Sequence, residues 1–104
     1  MTLAELQALL ASIDPAIRHG WTMADGRDYT WWQETARLPL VADDRHIAEG
    51  WVFYVHRFSK ANIDPVAAAL FETLDGLPNL AVAQEITFEP ETGYSHYVYR
   101  CEVI

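Results

Sequence analysis

Leu3, Leu6, Leu10 and Ile13 recur at three- and four-residue steps near the start of the chain. That spacing lays one apolar stripe along a helix. Thr2 and Glu5 form a T-x-x-E capping box, which serves otherwise unpaired amide donors. The pattern predicts a helix over 2–12. Asp14-Pro15 ends it, because the residue before a proline avoids helical dihedrals.

The pattern then changes period. Asp25-Gly26 marks a turn, and the aromatic and β-branched run that follows predicts a strand over 29–38. Pro39 closes that strand or places it at a sheet edge. Residues 42–45, with Asp43 and Asp44, read as a solvated loop. The strongest β signal is WVFYVHRF at 51–58, inside a strand predicted over 46–59. Asp64-Pro65 opens a second helix, with aspartate as N-cap and proline at home in the first turn. Val66, Leu70 and Leu74 share one face of it, with Ala67 and Phe71 beside them, and Asp75-Gly76 stops it before Pro78. Val82, Ile86 and Phe88 then alternate with Glu85, Thr87 and Glu89, predicting a strand over 82–89. A turn at 90–93 leads to a last strand over 94–103, paired with its predecessor as a hairpin. Ile86, Phe88, Tyr97, Tyr99 and Cys101 are expected on its buried side.

Hairpins dominate this order and strands outnumber helices. The expected fold class is α+β: a mainly antiparallel sheet of four or five strands with two helices packed on one face. The 104 residues suit a single domain spanning 1–104.

The middle strands strain this arrangement. By position number, one set holds Tyr29, Trp31, Trp51, Phe53 and Val55; the other holds Trp32, Val52, Tyr54 and Phe58. Both sets are apolar, yet two short helices cover only one face of a small sheet. Adjacent strand residues point to opposite sides, so Trp31 and Trp32 cannot both enter the same core. Trp31, Trp32, Trp51 and Tyr54 are therefore the interface candidates, on the ground that large apolar patches mark contact surfaces.

Charge narrows the partners. Fifteen acidic against seven basic residues give a net charge of −8. Sequence-specific nucleic-acid binding and an anionic membrane surface both call for a basic footprint that is lacking. No apolar run reaches the roughly 20 residues of a membrane span. The start, MTLAELQALL, has an acidic residue and no basic stretch, unlike a secretion signal. The lone Cys101 can form no intrachain disulfide, which fits a reducing compartment.

Candidate chemistry is sparse. His19, His46, His56 and His96 show no short zinc spacing. His56 and His96 can meet across strands with Glu34 or Glu102 nearby, as an acid–base or metal pair or as half-buried strand residues. Asp43, Asp44 and Glu49 lack the register of a calcium loop. Cys101 shares its side of the strand with Tyr97, Tyr99 and Val103, the company of a buried hydrophobe rather than a reactive thiolate. Ser59 and Ser95 lack the G-x-S-x-G turn of an exposed nucleophile. No catalytic, metal or cofactor-binding residue is assigned, and no cofactor is expected.

Several dispersed motifs resemble one family. They are Tyr29-x-x-Trp32-x-Glu34, Ala42-Asp43, Glu49-Gly50-Trp51, Phe58-Ser59-Lys60, Asp64-Pro65, Leu74-Asp75-Gly76-Leu77 and Glu91-Thr92-Gly93-Tyr94-x-His96-Tyr97. Together, over residues 29–104, they are similar to the small tail-terminator or tail-completion proteins of long-tailed phages and prophages. The Trp31-Trp32 pair departs from the family's more familiar single tryptophan. The resemblance implies a non-enzymatic structural protein that self-assembles into a ring, commonly a hexamer. Its implied partners are other copies of the chain and other tail or connector proteins. Its implied location is the host cytoplasm during assembly, then the virion tail. Two other readings stay open: an acidic binding module or inhibitor that mimics nucleic acid, and a small enzyme using His56 or His96.

Overall fold

A computed structural model describes the backbone of residues 2–22, 26–42 and 45–103, and the side chains of these residues except 38–49. The fold is α+β, with elements α1 (Leu3–Ile13), β1 (Arg18–His19), β2 (Tyr29–Ala42), β3 (Arg45–Ser59), α2 (Pro65–Asp75), β4 (Leu80–Glu89) and β5 (Tyr94–Val103). The strands form one sheet in the order β1-β2-β3-β5-β4. Every pairing is antiparallel except β1 with β2.

The local signals act as expected. The Thr2 hydroxyl accepts a hydrogen bond from the Glu5 amide at 3.1 Å, and the Asp64 carboxylate accepts from the Val66 and Ala67 amides at 3.3 Å each. The β4–β5 turn closes with Gly93 donating to the Glu89 carbonyl at 2.8 Å. Gly93 has φ +78°, which favours a residue without Cβ.

The strand bounds differ in places from those expected. β2 runs through Pro39 to Ala42, with Pro39 opposite Glu49, so the proline sits within a strand, on the sheet's outer flank. Asp43 and Asp44, read as a loop, lie outside the described residues, as do Asp25 and the side chains of His46 and Glu49. The two-residue β1 was not foreseen; it is too short to show a periodicity. Its His19 ring stacks on Trp32 with centroids 4.1 Å apart. Beyond Trp51, which pairs with Val103, the β2–β3 hairpin continues with no third strand alongside among the described residues. At about 3.3–3.4 Å per residue, the 15 residues of β3 account for the long dimension of the 51 × 25 × 23 Å molecule.

Both helices cover the same face of the sheet. Leu6 and Leu10 of α1 and Leu70 and Leu74 of α2 pack with Trp32, Phe53, Val55, Tyr99 and Cys101. The Trp32 indole donates to the Gln7 side-chain oxygen, and the Tyr99 hydroxyl donates to the Ala67 carbonyl at 2.9 Å. Ile86 and Phe88 share the helix side by register but are 57 % and 61 % exposed, contrary to expectation. They stand on the terminal strand, past the cover the helices give.

Arg57 is the one charged side chain among these inward positions of β3 (Phe53, Val55, Arg57), and it is 6 % exposed. Its Nε and Nη2 donate to the Asp64 carboxylate at 2.7 and 3.3 Å, and its Nη1 donates to the Thr30 hydroxyl at 3.2 Å. Asp14 lies 3.6 Å and Asp28 3.7 Å from its guanidinium nitrogens. Those carboxylates are also shared: Asp28 accepts from the Ser59 hydroxyl and the Lys60 amide, and Asp14 from the Ala16 amide. Among the described residues no buried polar side-chain atom lacks a partner. One guanidinium thus ties the end of α1, the entry to β2, the end of β3 and the cap of α2.

Removing one partner of a buried pair leaves the other charged and unsatisfied, at about 3–5 kcal/mol. Arg57→Ala is expected to lower urea-unfolding stability by that amount. Arg57→Lys is expected to recover only part of it, since an ammonium cannot span the fork. A loss below about 1 kcal/mol for Arg57→Ala, typical of an exposed pair, would show the cluster to be solvent-screened.

Candidate interaction surface

The register decides which aromatics share a face. Tyr29 pairs with Phe58, Trp31 with His56, Trp32 with Val55 and Glu34 with Phe53. Odd positions of β2 therefore sit beside even positions of β3. The two sets inferred from position number are regrouped. Trp32, Trp51, Phe53 and Val55 face the helices; Tyr29, Trp31, Val52, Tyr54, His56 and Phe58 face away. A bulge at Thr35, whose hydroxyl donates to the Val52 carbonyl at 3.3 Å, shifts the register once more and puts Arg37 opposite Trp51.

The helix-free face carries a run of stacked rings. Trp31 lies on His56 with centroids 4.0 Å apart and 12° between planes. His56 Nδ1 and His96 Nε2 are 2.9 Å apart in a hydrogen bond. His96 stacks on Phe58 at 4.0 Å, and Phe58 on Tyr29 at 4.5 Å. Tyr94 meets Tyr29 and Phe58 edge-on, donates its hydroxyl to the Arg27 carbonyl at 2.7 Å, and has the Lys60 ammonium over its ring at 4.9 Å. That end is closed by the chain's own loop. The other end opens beside Tyr54 and Val98 into a shallow depression of about 160 Å³, lined also by Ala83, Glu85 and Arg100.

Burial sets the electrostatics here. Desolvation, reinforced by a charge on His96, pushes His56 down from its ordinary 6.5 to about 4. Desolvation also lowers His96, and Glu89 opposes it. The 2.9 Å contact needs one ring to donate and the other to accept, so at most one of the two is protonated. The carboxylate near the pair is Glu89, 3.9 Å from His96. It is neither Glu34, which bonds His19 at 2.6 Å, nor Glu102, which bonds Arg100 at 2.8 Å. Among the described residues no group of three or more His, Cys, Asp or Glu side chains is placed to hold a metal. Cys101 is buried, and burial pushes its thiol up to about 12.

The four interface candidates separate. Trp31 and Tyr54 are half-buried on the helix-free face. Trp32 has no exposed surface; it belongs to the core and cannot touch a partner. Trp51 is half-buried on the helix side, with the Arg37 guanidinium 4.7 Å from its ring centroid. His56 and His96 complete the surface over a buried Phe58. Their joint role follows from alternation on β3 and β5 once the register is known. Among the described side chains, the large hydrophobics left most exposed are elsewhere: Trp21, Ile63, Ile86 and Phe88. Compared with known proteins, the sequence matches no family model and no curated protein.

A histidine neutral in the folded state but free to charge when unfolded stabilises the fold above its unfolded pKa. That contribution falls away as pH drops from about 6.5 toward 4. The melting temperature is therefore expected to decline between pH 7 and 5, before most carboxylates titrate. His56→Phe keeps the stack and should flatten that decline. An equal slope in the variant would mean that other groups cause it.

Proposed function

We propose that this chain is a structural assembly protein that acts through the helix-free face of its sheet, as a tail-terminator or tail-completion component of a long-tailed phage or prophage. The observation that carries the reading is the ring stack from Trp31 to Tyr29, half-buried around an enclosed Phe58 and without a helix over it. A two-layer fold ordinarily covers an apolar sheet face with another element. Here the cover is proposed to come from a neighbouring subunit in a ring or from another tail or connector protein. The motifs over residues 29–104 supply the family expectation, and the α+β fold agrees with it. The reading assigns no catalysis, and gives the His56–His96 pair a packing role. Assembly would take place in the host cytoplasm, and the finished protein would sit in the virion tail. Acidic balance suits a ring that DNA traverses, since like charges do not adhere.

Trp31→Glu and Trp32→Glu test this by their difference. Trp31→Glu is expected to keep the native circular dichroism spectrum but to fail to assemble, in phage particles if not in dilute solution, and so to block particle completion in an infected or induced host. Trp32→Glu buries an unpaired carboxylate in the core and is expected to unfold the chain. If Trp31→Glu supports assembly as the native protein does, or merely unfolds, the helix-free face is not the contact surface.

A further inference from the structure

β4 ends the sheet. Among the described residues no strand lies along its outer row of backbone N–H and C=O groups. The opposite end is guarded: β1 covers β2 at Trp31 and Trp32, and Pro39 further along offers no N–H. β4, LAVAQEITFE, has few of the usual devices against edge pairing, its only charges being Glu85 and Glu89. It contains no proline, glycine or lysine, and its pairing with β5 is without a bulge. It also carries Ile86 and Phe88, both more than half exposed.

The side chains facing the helix side of β4 are Leu80, Val82, Gln84, Ile86 and Phe88. This row is self-complementary about Gln84, with two apolar residues at two-residue steps on either side. A two-fold axis at Gln84 sets Ile86 opposite Val82 of a second copy, and Phe88 opposite its Leu80. The same register sets Glu85 opposite Ala83 and Thr87 opposite Ala81, so no like charges face each other. Centring on Glu85 instead would oppose two carboxylates, which is unfavourable. We infer that β4 pairs antiparallel with β4 of a second copy about Gln84, joining two sheets into one and covering Ile86 and Phe88.

An isologous contact closes on itself and yields a dimer rather than a filament. A one-strand seam lies at the low end of stable interfaces, which bury about 1,200–2,000 Å², so the dimer is reversible. Two copies at −8 each repel, so added salt strengthens the association. The seam shares Ala83 and Glu85 with the rim of the helix-free face but none of its stacked rings, and either surface can fail without the other.

Sedimentation velocity on the full chain across a dilution series is expected to show one chain passing to two, with the dimer favoured by salt. Directly opposed residues in an antiparallel pair have Cα atoms about 4.5–5.5 Å apart, within disulfide reach. Gln84→Cys should therefore form a covalent dimer on mild oxidation. Ala81→Cys should not, because its counterpart is Thr87. The native Cys101 is buried and does not compete. Phe88→Glu should shift the protein to monomer with an unchanged circular dichroism spectrum, and Trp31→Glu should leave the dimer intact. The seam is overturned by a native protein that stays monomeric throughout, by equal cross-linking at 84 and 81, or by loss of the dimer in Trp31→Glu but not in Phe88→Glu.

Discussion

Arg57 is held at 6 % exposure by contacts to three carboxylates and a hydroxyl. The partners come from three parts of the chain: Asp14 after α1, Asp28 and Thr30 at the start of β2, and Asp64 at the cap of α2. A charge taken out of water is costly unless its partners are placed for it. The guanidinium therefore constrains four segments at once, and Asp64 does double duty by also closing the first turn of α2. The helices can only sit where the caps and helix ends deliver their carboxylates to this one point. That puts both helices on the face toward which Arg57 points, and leaves the other face to find its own cover.

The two faces solve the burial of aromatic rings differently. On the helix side, Trp32 is enclosed by His19, Phe53 and Gln7, and Tyr99 lies beneath α2 with its hydroxyl satisfied. On the far side the rings cover one another: Trp31 on His56, His96 on Phe58, Phe58 on Tyr29. Stacking hides the ring faces but not the outer edges, so all but the buried Phe58 stay half-buried. Such a surface is ordered before any partner arrives. A preorganised surface loses less conformational entropy on binding, which favours its use in assembly.

The helices also fall short of the sheet's width. α2 covers β5 and reaches β4 near Val82, but Ile86 and Phe88 remain in solvent on the same side. The alternation in LAVAQEITFE is that of a half-buried strand, and half of that burial is missing from the single chain. The shortfall lies at the edge with an unguarded backbone, which is why edge pairing and apolar cover point to the same place.

Capping and stop residues determined α1 and α2 from the sequence alone, because Thr2, Asp64, Pro65 and Gly76 act on neighbours within a turn. Alternation likewise determined β5 and nearly all of β4, and left a meeting of His56 with His96 as one possibility. What sequence could not determine was any quantity that depends on register between strands. Position numbers grouped Trp31 with Phe53, whereas the hairpin sets it beside His56, since a one-residue change in register reverses every facing. For the same reason only the tertiary structure separated Trp32, which is core, from Trp31, which is surface. The role of Arg57 was hidden too. A basic residue in an apolar run reads as a solvated position until folding brings Asp14, Asp28 and Asp64 around it from as far as 43 positions away. Local chemistry fixes elements over a few residues; pairing and burial are properties of the whole chain.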